Sequence, residues 1–304
     1  MELELDQEEL QRKSEQLKEQ KIKQIKDNIK CCLKVLELPE EIENIIISYS
    51  FDESKIETNY SLSEKVNKYY DTENEYLISE LDVSCVTSMH KMFRHCDTFN
   101  KPLNKWDISN VVDMHAMFYG CYVFNQSLNN WNTSNVKNMS YMFGDCFGFN
   151  QLLDKWNTSN VINMDSMFYY CESFNQSVNF DTKNVVNMER MFFNCAKFNK
   201  PVELNTSNVV SMCEMFALCE KFNQAVEFDT SKVTNMDEMF HGCINFDQPV
   251  NFNTSKVENM NGMFAMCIKF NRKICFDVRN VKDMDNMFDG CNELQRKNKK
   301  LIMH

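Results

Sequence analysis

The chain has 304 residues, with 44 acidic against 33 basic side chains and a formal net charge of −11. A balance this acidic argues against nucleic acid and anionic membrane surfaces as partners. No apolar run approaches the roughly 20 residues of a membrane span, and the six glycines form no phosphate-cradling loop.

The N-terminus, MELELDQEEL, carries neither a basic leader nor an apolar core, so a cytoplasmic chain is expected. Residues 1–30 are predicted as a charged amphipathic helix. Leu3, Leu10 and Leu17 stand seven apart, as in a short coiled coil, before Ile22, Ile25 and Ile29 shift the phase. Residues 31–80 read as a helical cap or linker. Pro39 suits the first position of a helix running to about Ser48, with Ile42, Ile45 and Ile46 on its apolar face. The run Leu38-Pro39-Glu40-Glu41-Ile42-Glu43-Asn44-Ile45-Ile46 also resembles the opening of an F-box, which gives residues 36–50 a second reading as a docking module for a ubiquitin-ligase adaptor.

From 81 to 295 one phrase recurs nine times: Val-x-x-Met-x-x-Met-Phe-x-x-Cys-x-x-Phe-Asn. The copies start at Val86, Val111, Val136, Val161, Val185, Val209, Val233, Val257 and Val281, and the last ends in Leu294-Gln295. A period of 24–25 residues is an architecture in itself. The residue before the first Met is always Ser, Asn or Asp, the chemistry of an N-cap. With Gly120, Gly242 and Gly290 just before the Cys, this predicts a helix of about two turns from Met to Cys. After it, pairs such as Val178-x-Phe180 predict a short strand. In the longer copies Leu103-x-x-Trp106, Leu128-x-x-Trp131 and Leu153-x-x-Trp156 predict a bulge or wider turn. One such unit cannot bury enough to stand alone, so neighbours must stack. Residues 296–304 are expected as a C-terminal cap or tail, with Leu301, Ile302 and Met303 able to fold over the last coil.

The unit TSNVxNMxxMFxxCxxFNQxLxxW resembles the BspA-like branch of leucine-rich-repeat proteins, whose repeats are of the mycoplasma-lipoprotein type. The resemblance covers about seven-tenths of the chain, residues 81–295. It implies an α/β, leucine-rich-repeat-like solenoid of about nine strand–turn–short-helix coils. It also implies adhesion at a cell surface, although no lipidated Cys stands near the N-terminus. The family offers no catalytic residues.

Nine of the 14 cysteines form one repeat column, which reads as a ladder of buried thiols. Their spacing suits neither disulfides nor zinc. The Met columns read as core. The Asn of Phe-Asn is expected to bond the backbone of the next coil. His90 and His115 share a column that should face solvent, without the convergent groups of an active site. No catalytic residue, cofactor or metal is expected. The two positions after Met-Phe are free to vary, yet hold Tyr169, Tyr170, Phe193 and Leu218 in copies four to six. These four are the candidate partner-binding residues, because exposed aromatics shared by neighbouring repeats favour recognition. Packing within the array accounts for them equally well. The function expected is therefore a non-catalytic scaffold binding an unidentified protein. The alternatives are a surface adhesin or an F-box-like substrate adaptor.

Overall fold

Peptide groups packed between like segments must each find a hydrogen-bond partner. The third unit shows how this chain meets that demand. In the computed structural model, which describes residues 6–34 and 56–297, the N–H groups of this unit alternate. Those of Met139, Tyr141, Phe143 and Asp145 donate to the carbonyls of Asn163, Asp165, Met167 and Tyr169 in the fourth unit, at 2.7–3.1 Å. Those of Met142, Gly144 and Cys146 close turns onto Met139, Tyr141 and Phe143 within the unit. Lys137 and Gly148 donate backward to Val112 and Tyr122 of the second unit. The same pattern recurs along the chain, and parallel bridges join Ser88, Asp113, Asn138, Asn163, Asn187, Ser211, Asn235, Asn259 and Asp283 in order.

The two-turn helix expected in every unit is absent. Residues 81–291 contain turns and isolated bridges but no helix. A two-turn helix would leave its first four N–H and last four C=O groups without internal partners. Here the adjoining unit takes alternate donors instead. The price is a left-handed backbone at two places per unit, for example Tyr141 at φ 55° and Asp145 at φ 57°. Gly120, Gly242 and Gly290 occupy the second of these places, with φ between 68° and 76°. They mark a left-handed position, as the sequence suggested, but not a helix end. The residue before the first Met also keeps its capping chemistry in a new setting. Asn138 Oδ1 accepts from the Ser140 amide at 3.1 Å, and Asn163 Oδ1 from that of Asp165 at 2.9 Å. This is an Asx-turn rather than a helix cap. The expected strands reduce to single bridges, such as Val178 with Val202.

The apolar columns point inward all the same. Val136, Met139, Met142, Phe143, Cys146 and Phe149 are fully buried. The Met-Phe rings stack from Phe93 to Phe288 with centroids 5.4–5.8 Å apart. The Phe-Asn rings form a second stack at 5.8–6.2 Å. Within the third unit Phe143 and Phe149 lie 4.1 Å apart, so the two stacks are one core. From Cys121 onward each column thiol donates to the Phe carbonyl of the preceding unit, at 2.9–3.1 Å. Burial pushes these thiols far from ionisation, Cys96 and Cys291 to about 12.

Polar side chains add ladders at the rims. Asn100, Asn125, Asn150, Asn175, Asn199 and Asn223 each accept the amide of their equivalent in the next unit at 2.9–3.0 Å. Asp247 does the same for Asn271. In the longer units the extra residue sits in a turn closed by the Trp amide on the Leu carbonyl, as in Trp131 with Leu128. The Trp131 indole then reaches the Leu103 carbonyl at 3.0 Å.

The N-terminal end is covered. Helix α1, Gln7–Lys34, lies across the first units. Ser14 Oγ donates to the Cys85 carbonyl at 2.6 Å, and Thr87 Oγ1 to the Leu10 carbonyl at 2.5 Å. Helix α2, Asn59–Tyr69, starts with a Thr58–Ser61 capping box and buries Leu62 and Val66. A 3-10 helix, Glu75–Glu80, buries Ile78. All three side chains belong to the same core as the repeats. At the other end a single-turn helix, α3, spans Asn292–Lys297. The F-box-like segment 36–50 and the residues Leu301 to Met303 lie outside the described residues.

Candidate functional site

Each unit repeats its inward residues and frees its outward ones. The positions on either side of the two left-handed residues vary from unit to unit, and their side chains meet across units on one face. Tyr169 stacks on Phe193 with centroids 5.0 Å apart. Tyr170 lies 4.7 Å from Tyr169 and 5.5 Å from Phe193. The three rings form one half-buried cluster. Leu218, the fourth predicted residue, stands two units along the column of Tyr170, with Asn194 between them. It leans over Gly242, where an added Cβ would fall 2.7 Å from Leu218 Cδ2. The structure thus brings together three of the four.

The face extends further toward the N-terminus than the spacing after Met-Phe suggested. Tyr141 lies 6.2 Å from Tyr169, and Tyr119 lies 6.0 Å from Tyr141. His115 meets the Tyr141 ring edge at 6.1 Å and stacks on His90 at 4.8 Å. Arg94 stands over Tyr119 at 5.6 Å. The missed signal is that the first left-handed position, Lys91, Ala116 and Tyr141 in successive units, borders the same face. A second exposed pair was missed as well. Tyr122 and Phe147, just after the column Cys, stack at 5.0 Å while remaining 43% and 36% exposed.

The histidines do not stand in open solvent as expected. His90 is half-buried, its Nδ1 3.4 Å from Asp113 Oδ2. His115 Nδ1 pairs with Ser140 Oγ at 2.7 Å. Asp113 is almost fully buried and accepts Gln7 Nε2 from α1 at 2.5 Å. Desolvation pushes its pKa up. The imidazole of His90 close by and the hydrogen bonds from the His115 amide and Gln7 outweigh that and hold it below the ordinary value. Desolvation and the neighbouring Asp145 push Tyr119 up to about 12, so its hydroxyl stays protonated. Arg190 hydrogen-bonds Glu214 at 2.7 Å on the same face. Among the described residues no three His, Cys, Asp or Glu side chains converge as a metal site requires. The arrangement gathers rings, hydroxyls and charges on one face, including the Ser140 hydroxyl against His115.

The family model described as "Mycoplasma protein of unknown function, DUF285" matches residues 60–180, 140–227, 175–251 and 225–302. The chain belongs to this family. The DUF285 matches overlap and together run from within α2 to just past α3, so they include the repeats and part of the N-terminal covering but not α1. No curated protein and no solved structure matches the chain. Among the described residues no helix is long and apolar enough to cross a membrane.

Proposed function

We propose that this DUF285 chain is a non-catalytic repeat scaffold, a leucine-rich-repeat-like solenoid whose aromatic face binds a protein partner. The observation that carries the reading is the connected set Tyr141, Tyr169, Tyr170 and Phe193. It crosses three successive units at positions the repeat leaves free, and its rings remain half-exposed. Rings rigidly seated on a regular backbone give large contact area at small entropic cost, which is why such residues dominate interface energies. In the alternative reading, a surface adhesin, this chain would use the same face at a cell surface. Cell fractionation separates that version from a cytoplasmic scaffold.

The test is a Tyr169→Ser, Tyr170→Ser, Phe193→Ser variant compared with the parent chain by affinity purification. The expected result is loss of specific partners with a cooperative melt retained. An unchanged partner set in a folded variant would remove the reading.

A further inference from the structure

Beside the ring cluster the same face sinks into an open concavity of about 260 Å³, lined by Lys91, Arg94, His115, Ala116, Tyr119 and Tyr141. Lys91 and Arg94 are exposed at its rim. Elsewhere many basic side chains meet carboxylates, such as Arg190 with Glu214, Arg272 with Asp247 and Lys105 with Glu80. Among the described residues neither Lys91 nor Arg94 does so. The Arg94 guanidinium rests on the Tyr119 ring. Neither cation forms an ion pair with a described residue; carboxylates stand nearby, Asp145 beside Tyr119 and Asp113 beside His90, so the positive charge is confined to the exposed rim in a chain of net charge −11.

We infer that this concavity takes an oxyanion, a carboxylate or a phosphate, carried on a side chain of the bound polypeptide. Lys91 and Arg94 supply charge-assisted hydrogen bonds. Tyr119 and Tyr141 wall the arm that carries the oxyanion. The inference rests on the protein-binding reading for its carrier, because Tyr141 joins the concavity to Tyr169 without a break. Direction follows from charge. Further along the face Glu214 is matched by Arg190, and the equivalent columns add Glu189, Asp237 and Glu238, a net negative stretch that repels an acidic segment. The acidic end of the ligand therefore lies over the first two units, and its apolar part over the rings.

The experiment uses the full chain and three fluorescein-labelled short peptides of one sequence, differing only in a central phosphotyrosine, glutamate or glutamine, read by anisotropy. The phosphotyrosyl or glutamyl peptide is expected to bind, and the glutaminyl one to bind at least about tenfold more weakly. Whichever of the two binds tighter identifies the oxyanion as phosphate or carboxylate. Lys91→Glu with Arg94→Glu should weaken the tighter peptide by about tenfold or more at an unchanged melting temperature. Arg94→Gln alone, a milder change, should give a smaller loss in the same direction. Equal binding of all three peptides, binding of none, or indifference to charge reversal overturns the inference. A partner that needs Tyr169, Tyr170 and Phe193 but ignores charge reversal would keep the scaffold reading and discard this one. Oxyanion-dependent binding that ignores the three rings would keep the concavity and discard the ring surface.

Discussion

Asn150 does two things with one oxygen: its Oδ1 accepts the Asn175 amide at 2.9 Å and Gln176 Nε2 at 3.2 Å. Truncating it strands a backbone donor at the junction of two units, so Asn150→Ala should cost about 1–3 kcal/mol in a urea titration. Asn150→Asp keeps the acceptor and should cost less, as Asp247 already shows in the same role toward Asn271. The column thiols allow a chemical check. Cys146 is fully buried and burial holds its thiol well above the usual pKa, whereas Cys275 is exposed. Alkylation of the native protein followed by peptide mapping should modify Cys275 quickly and spare Cys146 until denaturant is added. Both roles were legible from spacing, because a residue repeated once per period must serve the repeat itself. The left-handed backbone at Tyr141 and Tyr170 was not legible. Nothing in a tyrosine announces positive φ; only Gly262 in the Tyr141 column and Gly120, Gly242 and Gly290 in the Tyr170 column hinted at it.

Helix α1 is held by side chains that reach from one turn after another into the first two units. Gln7 meets Asp113, and Ser14 meets Cys85. Asp113 makes this docking pH-dependent. Its folded pKa lies below the ordinary 3.8, so the stability it contributes is fully present above that value. It is lost as pH falls through the lower folded value. Asp113→Asn copies what Asn138 and Asn163 do at the same place. The stability gap between parent and variant, measured by urea midpoints, should therefore shrink as pH drops below about 3.8. The ring stack gives a second expectation. Phe143 is fully buried and touches Phe118, Phe149, Trp156 and Phe168. Phe143→Ala should cost about 3–5 kcal/mol. Phe288, only partly buried in the last unit, should cost less. At this scale the charge and leucine spacing called for a helix over residues 1–30, of which Leu3 lies outside the described residues, and the described helix spans Gln7–Lys34. The repeat segment was misread because Met-x-x-Met-Phe-x-x-Cys puts one stripe inward on a helix and on a chain of turns alike. The choice between them lies in where alternate N–H groups go, and that depends on a neighbouring unit that no single window of sequence contains.

Across the whole molecule the 24–25-residue period was the strongest signal, and the positions it repeats are the inward apolar columns and the Asn ladder at the rim. The candidate face was legible only in part. Tyr169, Tyr170 and Phe193 stood out as large residues in free positions, whereas Tyr119, Tyr141 and His115 join them through contacts between different columns. Each unit is completed by the next through alternate backbone bonds and continuous ring stacks. Removal of one full period tests this most directly. Deleting residues 185–208 brings Phe168 next to Phe216 in register and should leave a protein that melts cooperatively, at a somewhat lower temperature. Deleting only 185–196 breaks the register and should abolish the cooperative melt. Equal stability of the two deletions, or a full-period deletion that fails to fold, would show that the units do not complete one another.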